Sequence, residues 1–204
     1  MRRMGKIISK RGRPFGFILF FILFGFLPFN IRCQEVSIST NLIGYINFGT
    51  INGEFGLSLA SKWSVYFQGR YNPFTFKNRK KAMHNGYPSQ MQNRHISVAA
   101  GTKYWFWYVN SGWFLSSQLS YTKYNAGGIL KKDTYEGRAY GMTLGAGYSL
   151  MLSKHFNIDF GLGIMCGFTS YIKYACPRCG EITGRDKKIF IAPDNILVQL
   201  SYLF

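Results

Sequence analysis

Few side chains in this 204-residue chain combine the residue types and the spacing that catalysis or metal binding needs. The strongest local signal is Cys176-Pro177-Arg178-Cys179-Gly180. Two such thiolates are half of a tetrahedral zinc site. His84, in a different loop, is a third donor with nothing to place it nearby. On an oxidising surface a local disulfide between Cys176 and Cys179 is the alternative, and free thiols are another. The three histidines, His84, His95 and His155, are scattered. His95 with Ser97 and a carboxylate from the next loop is a conceivable catalytic set, but the chain shows no triad spacing. No cofactor is expected.

Charge offers two further groups. The long polar stretches are basic: Lys77, Arg79, Lys80 and Lys81 in one, Lys173, Arg178, Arg185, Lys187 and Lys188 in another. Such runs attract lipopolysaccharide phosphates, surface glycans and other polyanions, or simply stay solvated. Glu54, Arg70, Lys103 and Asp159 are different, because each falls on the polar face of an alternating segment. Two cations and two anions at similar heights are expected to form one interior charge layer, a structural plug or a gate, since buried charges need partners.

The elements that position these residues follow from period-two alternation, which marks β-strands with one apolar face. In the last ten residues Ile196, Val198, Leu200, Tyr202 and Phe204 alternate with Asn195, Leu197, Gln199, Ser201 and Leu203. Seven more segments carry strand character: 36–46, 53–60, 63–72, 94–107, 113–124, 138–151 and 156–171. Segments of about ten residues that alternate in this way are the signature of a transmembrane barrel. The connections alternate short and long from the second onward, with long ones at 73–93, 125–137 and 172–188. Outer-membrane barrels sort short periplasmic turns from longer extracellular loops in this way. Aromatics cluster near both ends of the segments, as two interfacial girdles require. The expected fold is all-β, an eight-stranded antiparallel up-and-down transmembrane β-barrel.

Residues 1–33 are expected to be a cleaved signal peptide. Arg2, Arg3, Lys6, Lys10, Arg11 and Arg13 precede the apolar run Phe15–Phe29, which is too short for a spanning helix of about 20 residues. Cleavage after Cys33 leaves 34–204 as the barrel domain. A lipoprotein reading of Cys33 and an uncleaved anchor are the alternatives. Seven of the 25 basic residues and none of the 8 acidic ones lie in that leader, so the mature net charge is +10.

Four stretches, Tyr71–Phe76, Tyr124–Ile129, Glu136–Gly141 and Tyr174–Gly180, together with the closing strand, resemble a family of small Gram-negative outer-membrane barrel proteins known only as a domain of unknown function. The resemblance covers nearly all of the mature chain. It implies an eight-stranded barrel of the OmpA and OmpX kind, with both termini periplasmic, and supplies no catalytic residues. The closing aromatics Tyr202 and Phe204 resemble the C-terminal signal read by the barrel-assembly machinery during insertion. Expected partners are that machinery, outer-membrane lipid and lipopolysaccharide, and surface glycans or another surface protein. Nucleic acid fits the charge but not the compartment. The expected function is non-enzymatic: a structural, adhesion or surface-docking role for the basic loops. The alternatives are a lipid A-modifying enzyme and a soluble, lipocalin-like periplasmic binder of hydrophobic ligands.

Overall fold

In the computed structural model, the described residues are 35–77, 90–128, 133–175, 181–194 and 196–204. The expected leader at 1–33 lies outside them, as do His84, Arg79, Lys80, Lys81, Cys176, Arg178 and Cys179.

Among the described residues ten strands pair antiparallel in a ring-like arrangement: β1 (Val36–Asn41), β2 (Ile51–Ala60), β3 (Trp63–Asn72), β4 (Thr75–Lys77), β5 (Gln90–Trp105), β6 (Gly112–Gly127), β7 (Thr134–Met151), β8 (Phe156–Tyr174), β9 (Ile182–Pro193) and β10 (Leu197–Leu203). Except at β3–β4 and β9–β10, neighbours in sequence are neighbours in the sheet, and β10 pairs with both β1 and β8 to close the ring. Alternation explains the count. Two of the ten strands are continuations across an interruption. β3 and β4 share one register on β5, with Asn72 opposite His95 and Thr75 opposite Gln92. Pro73, which has no N–H to give a ladder, separates them. β9 and β10 both pair with β8, but the register slips by one between Pro193↔Ile164 and Leu197↔Gly161. An extra residue of this kind is a bulge that re-aims a side chain.

Two expectations need correction. Val36–Ile46 is not one strand, because β1 stops at Asn41 and a short helix, α1 (Leu42–Ile46), follows. Asn41 is its cap, accepting the Ile43 N–H at 3.1 Å. This is the usual reason an asparagine ends a strand and starts a turn of helix. The stretches 73–93, 125–137 and 172–188 are likewise not all loop: β4 and the start of β5 at Gln90 fall in the first, and the end of β6 at Gly127 and the start of β7 at Thr134 in the second. β8 runs on to Tyr174 and β9 begins at Ile182, so Lys173, Arg185, Lys187 and Lys188 sit on strands. These strand ends carry no apolar face, so periodicity could not mark them.

The packing is inside-out for a water-soluble protein. Among the described residues, buried polar or charged side chains outnumber buried apolar ones by more than two to one. Gln199 is fully buried, while Leu162, Ile164 and Phe168 are each more than 60% exposed. The interior apolar cluster is small: Trp105, Phe114 and Leu197, with Val109 against it, near the short-turn end.

Candidate functional site: a polar interior and an incomplete wall

Inward-facing positions bring polar side chains together at two levels. At the lower level Lys103 on β5 donates to Glu54 on β2 at 2.6 Å, and both are buried. The Lys103 ammonium lies 4.9 Å from the Tyr66 ring centre and 5.5 Å from that of Phe114. Asp159 on β8 accepts from Ser149 at 2.5 Å and from Ser201 at 3.1 Å. Trp105 stands beneath, its indole donating to Ser64 at 2.9 Å and its ring 4.8 Å from Phe114. Each of these charged groups is held by a neighbour, as burial in a low-dielectric interior demands, while the fully buried Gln199 amide opposite Asp159 has no hydrogen-bond partner among the described residues.

Arg70 is not in that layer. It pairs with Asp194 at 3.4 Å and donates to Gln68 at 3.1 Å. Asp194 also accepts from Gln118 and Thr143, each at 3.3 Å, and Gln118 accepts from Tyr66 at 3.0 Å. The four charges expected to share one layer are therefore placed as three below and one above. Sequence reading missed Asp194, Tyr66 and Gln118. Asp194 left a faint signal, since Pro193-Asp194-Asn195 interrupts the alternation that resumes at Ile196.

Above this second level the wall changes character. β1 ends at Asn41, but β2 and β3 continue beyond it to Ile51↔Tyr71. On the other side β9 pairs with β8 along its length, and no described strand pairs with its second edge. Asparagine side chains bridge the gap. Asn52 accepts the Asn41 N–H at 2.6 Å and donates to the Asn41 carbonyl at 2.9 Å, standing in for a missing ladder residue. Asn41 in turn donates to the Ile196 carbonyl at 3.0 Å and accepts the Val198 N–H at 3.3 Å. The helix packs so close that a β-carbon on Gly44 would meet Asn52 Nδ2 at 2.4 Å. Behind the seam lies a cavity of about 310 Å³ whose walls include Asn47, Asn52, Arg70, His95 and Asp194. Asp194, the one carboxylate among the described residues of its walls, is already hydrogen-bonded to Gln118 and Thr143.

His95 Nδ1 lies 3.0 Å from the Asn93 carbonyl, and the Ser97 hydroxyl lies 2.8 Å from that of Thr122. Among the described residues no hydrogen bond links His95 to Ser97, and no group of three or more His, Cys, Asp or Glu that could hold a metal occurs. Of the basic positions, Lys173 pairs with Asp133 at 2.9 Å, which raises its pKa. Lys188 pairs with Asp186 at 3.4 Å beside the Tyr171 ring. The Asp186 carboxyl is held below its ordinary range, first by the Lys187 backbone N–H and then by Lys188. Cys166 is free and faces outward.

The outward face is aromatic near the short turns. Trp63 lies 5.0 Å from Tyr104, Trp113 lies 5.2 Å from Tyr148, and Tyr202 lies 5.1 Å from Phe156 and 4.8 Å from Phe204. Toward the other end Tyr121 lies 4.9 Å from Tyr140. A family model described as "Protein of unknown function (DUF3575)" matches residues 18–204. The chain belongs to that family. No curated protein matches it. The ring, the two-level polar interior and the seam are thus features of a DUF3575 member, and all of the described residues fall within the matched span.

Proposed function

We propose that this DUF3575 protein is an eight-stranded transmembrane β-barrel of the outer membrane. Its role is non-enzymatic: its wall holds the basic outer strand ends at the cell surface for structural, adhesive or docking contacts. One observation carries the reading, the outward apolar face. On β8 the side chains of Phe156, Phe160, Leu162, Ile164 and Phe168 all stand exposed. From Phe156 to Phe168 is about 40 Å along the strand and about 30 Å of height at a tilt near 40°, enough for an apolar band of about 25 Å with aromatic girdles. An isolated exposed leucine is ordinary, but a continuous apolar face is not. Lipid provides the solvent for it, and ring closure through β1, β10 and β8 satisfies the backbone of the short-turn half.

A lipocalin-like binder would put its apolar faces inward, whereas here the interior is polar. Lipid A chemistry would need His95 and Ser97 to act together, and their hydrogen bonds run to other partners. The lower layer, with Trp105 beneath it, supports a closed plug in place of a diffusion pore. With the start of β1 and the end of β10 on the short-turn side, the long connections face outward in this reading.

The test is to isolate membranes from cells expressing the full chain and to run gels with and without boiling. Outer-membrane fractionation with a faster unboiled band supports the reading. Protein in the soluble periplasm with no heat shift overturns it. Lipid A mass spectra from deletion and overexpression strains test the enzymatic alternative, which identical spectra would remove.

A further inference from the structure

Register places the outward side chains of four strands in rows. Lys123 on β6 stands opposite Arg138 on β7, Arg138 opposite Ser170 on β8, and Ser170 opposite Lys187 on β9. All four are exposed. No salt bridge among the described residues involves Lys123, Arg138 or Lys187, whereas the inward-facing Lys188 and nearby Lys173 are paired. Glu136, the nearest outward carboxylate, is one row further from the apolar face, between Asn125 and Ile172. The next row toward the short turns is Tyr121, Tyr140, Phe168 and Ile189, and the row after it is Leu119, Met142, Cys166 and Ile191. Tyr140, Phe168 and Ile189 are 55%, 65% and 70% exposed. A surface cavity of about 300 Å³ joins the two rows, walled by Arg138, Ser170 and Lys187 on one side and Tyr140, Phe168 and Ile189 on the other.

We propose that this row is a binding site for the phosphate headgroup of an outer-leaflet phosphorylated amphiphile, whose acyl chains lie along the apolar rows. The proposal rests on the membrane reading above. Three cations without an ion-pair partner among the described residues leave an uncompensated positive field at one height. Arg138 and Lys187 are two strand spacings apart, about 10 Å, so both long side chains reach a phosphate seated over the Ser170 hydroxyl. Arginine adds a planar fork that matches phosphate oxygens, and lysine adds a point charge. A soluble polyanion would use the cations and leave the apolar floor in water. An amphiphile covers both, which is the reason for choosing a lipid over a glycan or a free phosphate.

The test uses the full chain purified in a neutral detergent and native mass spectrometry. A bisphosphorylated, multiply acylated glycolipid is titrated against an uncharged diacylglycerol of matched chain length and against inorganic phosphate. The expected result is retention of the phosphorylated lipid alone, with affinity about 100-fold weaker in Lys123→Gln/Arg138→Gln/Lys187→Gln, from roughly 1 kcal/mol per interfacial cation. Ile189→Asn should weaken the same binding by removing part of the floor. Equal retention in the triple variant overturns the site. Retention of the uncharged lipid to the same extent overturns the role of the phosphate, and full displacement by inorganic phosphate overturns the choice of a lipid. The substitutions are on exposed positions, and the unboiled gel band reports folding separately. A protein found in the soluble periplasm would sink the membrane reading, while a heat-modifiable outer-membrane protein with unchanged lipid retention would sink this site alone.

Discussion

The short-turn half and the long-connection half of the ring solve one problem in two ways. In the lower half every strand has a partner on each edge, and the interior is closed by the Glu54–Lys103 pair, the Asp159 carboxyl and Trp105. In the upper half β1 is missing above Asn41, and four side-chain hydrogen bonds from Asn41 and Asn52 take over from the backbone ladder. Backbone ladders repeat and share their load. An asparagine clasp depends on single side chains. The upper half should therefore be the softer one, and the lower half should decide whether the fold survives.

The largest effect should come from unpairing the lower layer. Lys103→Met strands Glu54 as a buried lone charge and should cost about 3–5 kcal/mol, whereas Glu54→Leu/Lys103→Met should fall close to the parent. Urea titration followed by the loss of the fast gel band measures both. A double variant no better than the single one would mean that the pair is not the unit. Gly44→Ala comes next. Its methyl would displace the Asn52 amide from its bonds to Asn41, costing about 1–3 kcal/mol as overpacking does. If stability is unchanged, the close approach of the helix plays no part in holding the seam. Asn52→Ala removes two hydrogen bonds to the Asn41 backbone and should cost about 1–2 kcal/mol. Hydrogen exchange should quicken at Asn41 and Val198 and stay slow at Trp105. Uniform quickening would show that the two halves unfold as one. The smallest effect belongs to Arg70→Ala, which disturbs the upper network but leaves Trp105 and the lower layer in place. Bilayer recordings should stay near zero conductance, and a new open state would make Arg70 part of a gate.

Much of the fold can be read from residues such as Leu162, Ile164 and Phe168, because alternation assigns each strand residue to a face without reference to its neighbours. The same local rule put Glu54, Lys103 and Asp159 on the polar face, where the structure has them buried. It failed where the alternation pauses. Nothing in Val36–Ile46 shows that a capping asparagine ends the strand, because Ile43 and Ile46 fit a strand or a helix equally well. Toward Ile182 β9 lost its signal, since Lys187 and Arg185 stand on the face that Ile189 and Ile191 occupy further along.

The chain by itself determined which side chains face in or out, where the short turns fall and how basic the outer strand ends are. These depend on a two-residue period and on composition, both local. Only the tertiary structure decided that Arg70 meets Asp194, 124 residues along the chain, and not Asp159. It also decided that Asn41 joins β2 and β10, and that Lys123, Arg138 and Lys187 fall in one row. Those contacts are set by register across closed ladders, where a slip of one residue exchanges every partner.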